Sequence, residues 1–169
     1  LSQGKDSEFD DTFDQVDLYI DDSSKQYNDS ASRALTKKFS LQHDCQVSSL
    51  CFSKNGTVLY TAGKGCVKKW DINDSDHSRP KAEIKCLENS FIRSMKFSSD
   101  ETLLLVSGQS RDVVLIDLTT QSATSKTLQS SNSDTHYSLA ITPDSRYCFS
   151  CLSDGNIAMW EISSGRLIR

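Results

Sequence analysis

Residues 57–72 read TVLYTAGKGCVKKWDI. Thr57, Leu59 and Thr61 alternate with Val58, Tyr60 and Ala62. Gly63-Lys64-Gly65 then interrupts the run, and Cys66 to Ile72 resumes with β-formers that end in Trp70-Asp71. Alternation on both sides of a short glycine-rich break predicts strand, tight turn, strand. Glycine suits the break because positive φ costs it little. A Trp-Asp pair closing such a hairpin is a cue for a propeller blade, and its weight depends on repetition.

It does repeat. Trp70-Asp71, Ile116-Asp117 and Trp160-Glu161 close corresponding strands at steps of 46 and 44 residues. Each closure follows the same ordered set. A first strand (Val47–Ser53, Phe91–Ser98, His136–Thr142) leads to a polar turn at Asn55, Asp100 or Asp144. A second strand follows (Thr57–Ala62, Thr102–Gly108, Arg146–Leu152), then the third (Cys66–Ile72, Val113–Leu118, Asn156–Ile162). A fourth begins at Lys81, Ser125 and Leu167. Four strands in a period of about 44 residues is the pattern of propeller blades. The chain therefore reads as all-β, a β-propeller of WD-repeat type with three four-stranded blades near 41–87, 88–131 and 132–169. A blade cannot cover both of its own faces and must stack on neighbours. Three blades do not close a ring, since about four is the minimum. The expectation is thus the first part of a larger ring, self-association, or bare blade faces.

The Trp of the third strand offers a broad apolar plate whose indole N–H needs a partner when buried. In WD-repeat blades that partner network is a Ser or Thr on the second strand, a His before the first strand and an Asp in the following turn. The first blade supplies His43, Thr61 and Trp70, with Lys64 in the turn. The third supplies Ser150, Asp154 and Trp160. The second has Ile116 in place of Trp and is expected to pack by aliphatic burial alone. All of these are read as structural residues.

Other classes find little support. The net charge is −4, and it is uneven: Asp6 to Asp22 carries eight acidic residues and no basic one. From Phe39 onward the charges nearly cancel, which does not make a nucleic-acid groove. No apolar run approaches the roughly 18 residues of a membrane span, and no basic-then-apolar leader is visible. Residues 1–38 are rich in Asp, Ser, Gln and Asn and poor in large apolar groups, so they read as a disordered acidic linker. Within it, residues 11–20 interleave acidic and apolar side chains, as a solvated linker with anchors or a partner-binding motif would. Six cysteines lie mostly in apolar strand patterns and read as small buried hydrophobes in a reduced, intracellular setting. Cys148 and Cys151 have metal-ligand spacing but lie within one strand, with no second pair and no nearby His, so they too read as structural. Gly63-Lys64-Gly65 lacks the remaining residues of a phosphate loop, and no nucleophile accompanies His43 at a recognisable spacing. No catalytic residue, metal or cofactor is expected, and the chain does not read as an enzyme.

The strings YTAGKGCVKKWDI (Tyr60–Ile72), FIRSMK (Phe91–Lys96) and ITPDSRYCFSCLSDGNIAMWEI (Ile141–Ile162) resemble the WD-repeat domain of the Groucho family, the transducin-like enhancer of split corepressors. The resemblance covers roughly residues 31–169. It implies a seven-bladed propeller of a nuclear transcriptional corepressor that does not itself contact DNA. It implies partners too: DNA-bound transcription factors that present a Trp-Arg-Pro-Trp-type tetrapeptide or an engrailed-homology-type amphipathic helix over the channel mouth. The alternative is a general WD-repeat scaffold that binds through blade edges or the acidic N-terminal segment.

The period leads to the same mouth independently. Nine residues before Asn55, Asp100 and Asp144 lie Gln46, Phe91 and Thr135; seven before lie Ser48, Arg93 and Tyr137. Period-two alternation puts these on one face at the start of each innermost strand. The turns between second and third strands open on the same side and bring in Gln109. By the resemblance, Phe91 and Arg93 correspond to an aromatic–Arg pair of the family's peptide pocket and Gln109 to an acidic pocket residue. Gln46 and Ser48 stand where the family has apolar or Cys residues, which implies a more polar pocket.

Overall fold

The computed structural model describes residues 15–21, 35–120, 123–129 and 135–169. Three antiparallel four-stranded sheets follow one another along the chain. The first blade comprises β3 (Ser49–Phe52), β4 (Val58–Ala62), β5 (Cys66–Asp71) and β6 (Ala82–Lys85). The second comprises β7 (Ile92–Phe97), β8 (Leu103–Gly108), β9 (Asp112–Asp117) and β10 (Ser125–Gln129). The third comprises β11 (His136–Ile141), β12 (Tyr147–Leu152), β13 (Ile157–Glu161) and the short β14 (Arg166–Leu167). Each sheet runs in chain order from inner to outer strand, so the chain is a partial β-propeller of WD-repeat type. No helix among the described residues is long and apolar enough to cross a membrane.

The turn between the first two strands shows why the period is so regular. The Asn55 Oδ1 accepts from Thr57 N (3.1 Å), Thr57 Oγ1 (2.8 Å) and Ser53 Oγ (2.7 Å). Asp100 repeats this with Thr102 N (3.1 Å), Thr102 Oγ1 (2.9 Å) and Ser98 Oγ (2.6 Å). Asp144 repeats it with Arg146 N (3.1 Å) and Thr142 Oγ1 (2.6 Å). One short side-chain acceptor thus closes each hairpin by bonding the backbone two residues on. The following residue is left-handed in all three blades: Gly56 (φ 69), Glu101 (φ 59) and Ser145 (φ 56). Only the first blade meets that demand with glycine.

Alternation along the strands sends two sets of side chains to opposite faces. Tyr60, Ala62 and Val67 of the first blade meet Ile92, Leu104, Val106, Val114 and Ile116 of the second in one buried layer. Leu105, Val113, Leu115 and Leu128 of the second blade meet Leu139, Cys148, Ala158, Trp160 and Ile162 of the third in the next. The outer strand of one blade also covers the Trp face of its successor, as Leu128 of β10 does beside Trp160.

A fourth element completes that logic at the other end. β1 (Gln15–Asp21) pairs antiparallel with β2 (Leu35–Gln42), from Gln15↔Gln42 to Asp21↔Leu35, with an irregularity at Leu18/Tyr19. Leu41 of β2 is buried against Leu59 and Trp70, with Phe39 and Ile72 beside them. β2 therefore covers the Trp face of the first blade as β10 covers that of the third. The linker expected over residues 1–38 gives way to paired strands at 15–21 and from 35 onward. Val16, Leu18 and Ile20, which have strand spacing in the sequence, fall within β1. Residues 11–14 of the acidic patch lie outside the described residues.

Candidate functional site

The inner strands lie side by side. Ser48 Oγ donates to the Ile92 carbonyl, and Ser94 Oγ accepts from Leu139 N at 3.3 Å. The turn after β4 is stitched to the start of β7: Lys64 bridges Phe91, Ile92 N donates to Gly63 O (3.3 Å), and Gly65 N donates to Ser90 O (3.0 Å). Gln109 N donates to Phe91 O at 2.9 Å. A Cβ on Gly108 would lie 2.0 Å from that same carbonyl oxygen, so only glycine lets the turn after β8 close on Phe91.

These contacts gather the residues expected at the mouth. Gln46, Ser48, Arg93 and Gln109 are exposed, Phe91 is half-buried, and Tyr137 is 53% exposed. The Arg93 guanidinium lies 5.7 Å from the Tyr137 ring centroid. Lys64 Nζ lies 5.9 Å from the centroid of Phe91. Two aromatic rings, each with a cation within about 6 Å, form a surface suited to an aromatic side chain next to a carboxylate or carbonyl. Gln46 turns its carbonyl toward Gly63, where an added Cβ would lie 2.8 Å away.

Lys64 was not among the residues expected at this mouth, yet the signal was present. Ala62↔Val67 and Ser107↔Val113 are equivalent register pairs, which makes Lys64 the first-blade counterpart of Gln109. The rule that brought in Gln109 brings in Lys64 as well.

The Trp networks differ from blade to blade. Trp70 Nε1 donates to Thr61 Oγ1 at 2.8 Å, both groups being buried. His43 is buried too, but it hydrogen-bonds to neither; its Nδ1 faces Cys45 Sγ at 3.4 Å, and its Nε2 has no hydrogen-bond partner among the described residues. Trp160 Nε1 donates to the Gln129 carbonyl (3.2 Å) rather than to Ser150. Ser150 Oγ instead bonds His136 Nδ1 at 2.8 Å, and His136 Nε2 bonds the Arg111 carbonyl at 3.2 Å. Asp154 is exposed and accepts from Asn156 N (3.0 Å), so it closes its own turn and does not hold a histidine. His136, fully buried as the first residue of β11, is the imidazole of the third-blade network. Burial pushes the pKa values of both His43 and His136 below the ordinary 6.5.

An ion pair between buried Lys68 and exposed Asp44 accompanies His43. Lys68, only 6% exposed, holds the Asp44 carboxylate, and that hydrogen bond keeps the Asp44 pKa below its ordinary value. Burial lifts the Cys51, Cys86 and Cys148 thiols to about 12 and Cys66 to about 11, so all four are thiols at neutral pH. Cys148 is buried against the second blade whereas Cys151 is exposed on the opposite face of β12. Their spacing in sequence therefore does not bring them together.

A concavity of about 680 Å³ lies elsewhere. It lies on the open face of the third blade, lined by Phe149, Leu152, Ile157, Met159 and Leu167 among others. In register, Phe149 and Ile157 are the counterparts of Tyr60 and Val67, which the second blade covers. The hollow is an uncovered stacking face and not a pocket built around polar groups.

Comparison with known proteins bears on this architecture. A family model described as "WD domain, G-beta repeat" matches residues 35–71 and 124–161. Those stretches contain Trp70 and Trp160; β7 to β9, with Ile116, lie between them. The chain is 38% identical over 130 residues to "Protein groucho" of Drosophila melanogaster, covering 76% of this chain and 18% of that protein. It is 40% identical over 136 residues to "Transcription factor unc-37" of Caenorhabditis elegans, covering 76% of this chain and 22% of that protein. The chain thus spans about a fifth of the length of these curated relatives.

Proposed function

We propose that this chain, whose repeats fit the WD-repeat domain of the Groucho family, is the peptide-capturing part of a nuclear transcriptional corepressor. Phe91, Arg93, Tyr137 and Lys64 receive a short motif of a DNA-bound transcription factor at the channel mouth. The single observation that carries the reading is the pairing of exposed cations with aromatic rings there: Arg93 at 5.7 Å from Tyr137 and Lys64 at 5.9 Å from Phe91. A Trp-Arg-Pro-Trp-type peptide offers an aromatic plate to the rings and a C-terminal carboxylate to the cations. Ser48, Gln46 and Gln109 add polar rim contacts, and no acidic group among these seven meets the peptide's own Arg.

The test is a titration with a Trp-Arg-Pro-Trp peptide. Wild type binds saturably, and Arg93→Ala weakens binding by roughly tenfold or more, the loss of about 1.4 kcal/mol. Equal binding by Arg93→Ala and wild type sinks the assignment. The β1–β2 ribbon favours a second reading, a scaffold that binds a partner through its acidic N-terminal strand. Deleting residues 1–30 then abolishes partner binding while Arg93→Ala leaves it intact.

A further inference from the structure

His43 is the one buried imidazole here whose polarity the fold does not account for. His136 has both ring nitrogens bonded, to Ser150 and to the Arg111 carbonyl. Trp70 takes its partner from Thr61 and leaves His43 out. What surrounds His43 instead is sulfur. Its Nδ1 lies 3.4 Å from Cys45 Sγ, and one ligand atom each from His43, Cys45 and Cys66 all fall within 4.8 Å of one another. His43 and Cys66 are buried, and Cys45 is half-buried. Zn–S and Zn–N bonds of about 2.3 and 2.0–2.1 Å in a tetrahedral site put N and S ligand atoms about 3.5 Å apart. The His43–Cys45 separation already matches that spacing.

Two further contacts belong to the same cluster. Lys64 N donates to Cys45 Sγ at 3.3 Å, the backbone N–H···S bond that steadies a metal-bound thiolate. Gly63 leaves room for the cluster: a Cβ there would lie 2.4 Å from Cys45 Sγ and 3.2 Å from His43 Cε1.

We propose that His43, Cys45 and Cys66 bind a zinc-class divalent ion that fastens the loop between β2 and β3 to the start of β5. Binding displaces a proton from each thiol, and the two thiolates with a neutral imidazole balance the ion's charge. Asp44 Oδ1, 3.6 Å from His43 Nδ1 and bonded to Lys68, stands beside the cluster. The ion sits beside Lys64, whose N–H meets Cys45 Sγ, and so braces the place where Lys64 meets Phe91. The thiolate–imidazole donor set selects zinc over magnesium or calcium, which take oxygen ligands. Sequence spacing concealed the site because Cys45 and Cys66 lie on either side of a hairpin and meet only when it folds.

The whole chain is titrated with Zn2+ against a chromophoric chelator, and separately with Co2+ while its spectrum is read. The expected result is one ion per chain and a thiolate-to-cobalt charge-transfer band. Cys45→Ser lowers zinc affinity at least tenfold and weakens that band, whereas Cys51→Ser, away from the cluster, changes neither. Absence of the cobalt–thiolate band in wild type overturns the proposal without reference to any variant. Equal zinc affinity in wild type and Cys45→Ser overturns it as well. Peptide binding does not enter the readout, so this site and the mouth stand or fall separately.

Discussion

The first and second blades share one backbone and solve the same burial problem in opposite ways. In the first, the third-strand position holds Trp70, and its indole donates to Thr61. In the second, that position holds Ile116, and the register-equivalent of Thr61 is Val106. Donor and acceptor are present together or absent together. A lone indole N–H or a lone hydroxyl at either place would be buried without a partner, whereas a fully apolar pair carries no such penalty. The Trp plate is thus optional in a blade of this kind, but its polar partner is not optional once the Trp is there. The third blade adds a variation, since Trp160 reaches a backbone carbonyl and frees Ser150 for His136.

The comparison can be broken most forcefully at Trp70. Trp70→Ala is expected to cost about 3–5 kcal/mol by cavity formation between β2 and the first blade. Urea unfolding of the variant checks this, and a loss under about 1 kcal/mol would mean that β2 does not close that face. The polar pair itself is tested by a double-mutant cycle. Thr61→Val leaves the indole unpaired and costs about 1–3 kcal/mol. Trp70→Phe removes the donor, so in the double variant the Thr61 penalty largely disappears. Additivity within about 0.5 kcal/mol would show that the two groups do not act as a unit.

A smaller effect sharpens the contrast from the second blade. Ser107 Oγ is buried without a hydrogen-bond partner among the described residues, and its counterpart in the first blade is Ala62. Ser107→Ala is expected to stabilise by up to about 1 kcal/mol, since it removes an unpaired buried hydroxyl. A destabilised variant would reveal a partner for that oxygen.

The smallest effect is electrostatic. His136 has its pKa lowered by burial, so the folded state favours the neutral ring. Its contribution is complete above the unfolded value near 6.5 and is lost as pH falls through the folded pKa. Unfolding midpoints measured from pH 7 to 5, above the range where carboxylates titrate, should fall in wild type and fall less in His136→Gln. Parallel curves would show that the imidazole is not held neutral.

Much of this was legible in the chain itself. The turn acceptors Asn55, Asp100 and Asp144, the alternation around them and the Trp70 and Trp160 closures placed the twelve blade strands nearly residue for residue. Those are local signals, set by neighbours a few positions apart. The mouth is a proposal whose residues came from the same counting. Counting from the turns reached Phe91, Arg93 and Tyr137 because each inner strand presents one face with period two. Lys64 lies beside Phe91 although its blade position was read only as a scaffold turn. Asp154 was placed in a Trp network that it does not join, because a turn acceptor and a network acceptor look alike in one dimension.

What the amino-acid order determined alone is the repeat: strand, turn, strand, with the faces of each strand assigned by alternation. Tertiary structure decided which faces meet. It set β2 against Trp70, Arg93 beside Tyr137, and His43 with Cys45 and Cys66 around Gly63. The reason is physical. Backbone pairing and turn chemistry act over a few residues, whereas these meetings arise only when separate sheets and loops stack to bury their apolar faces.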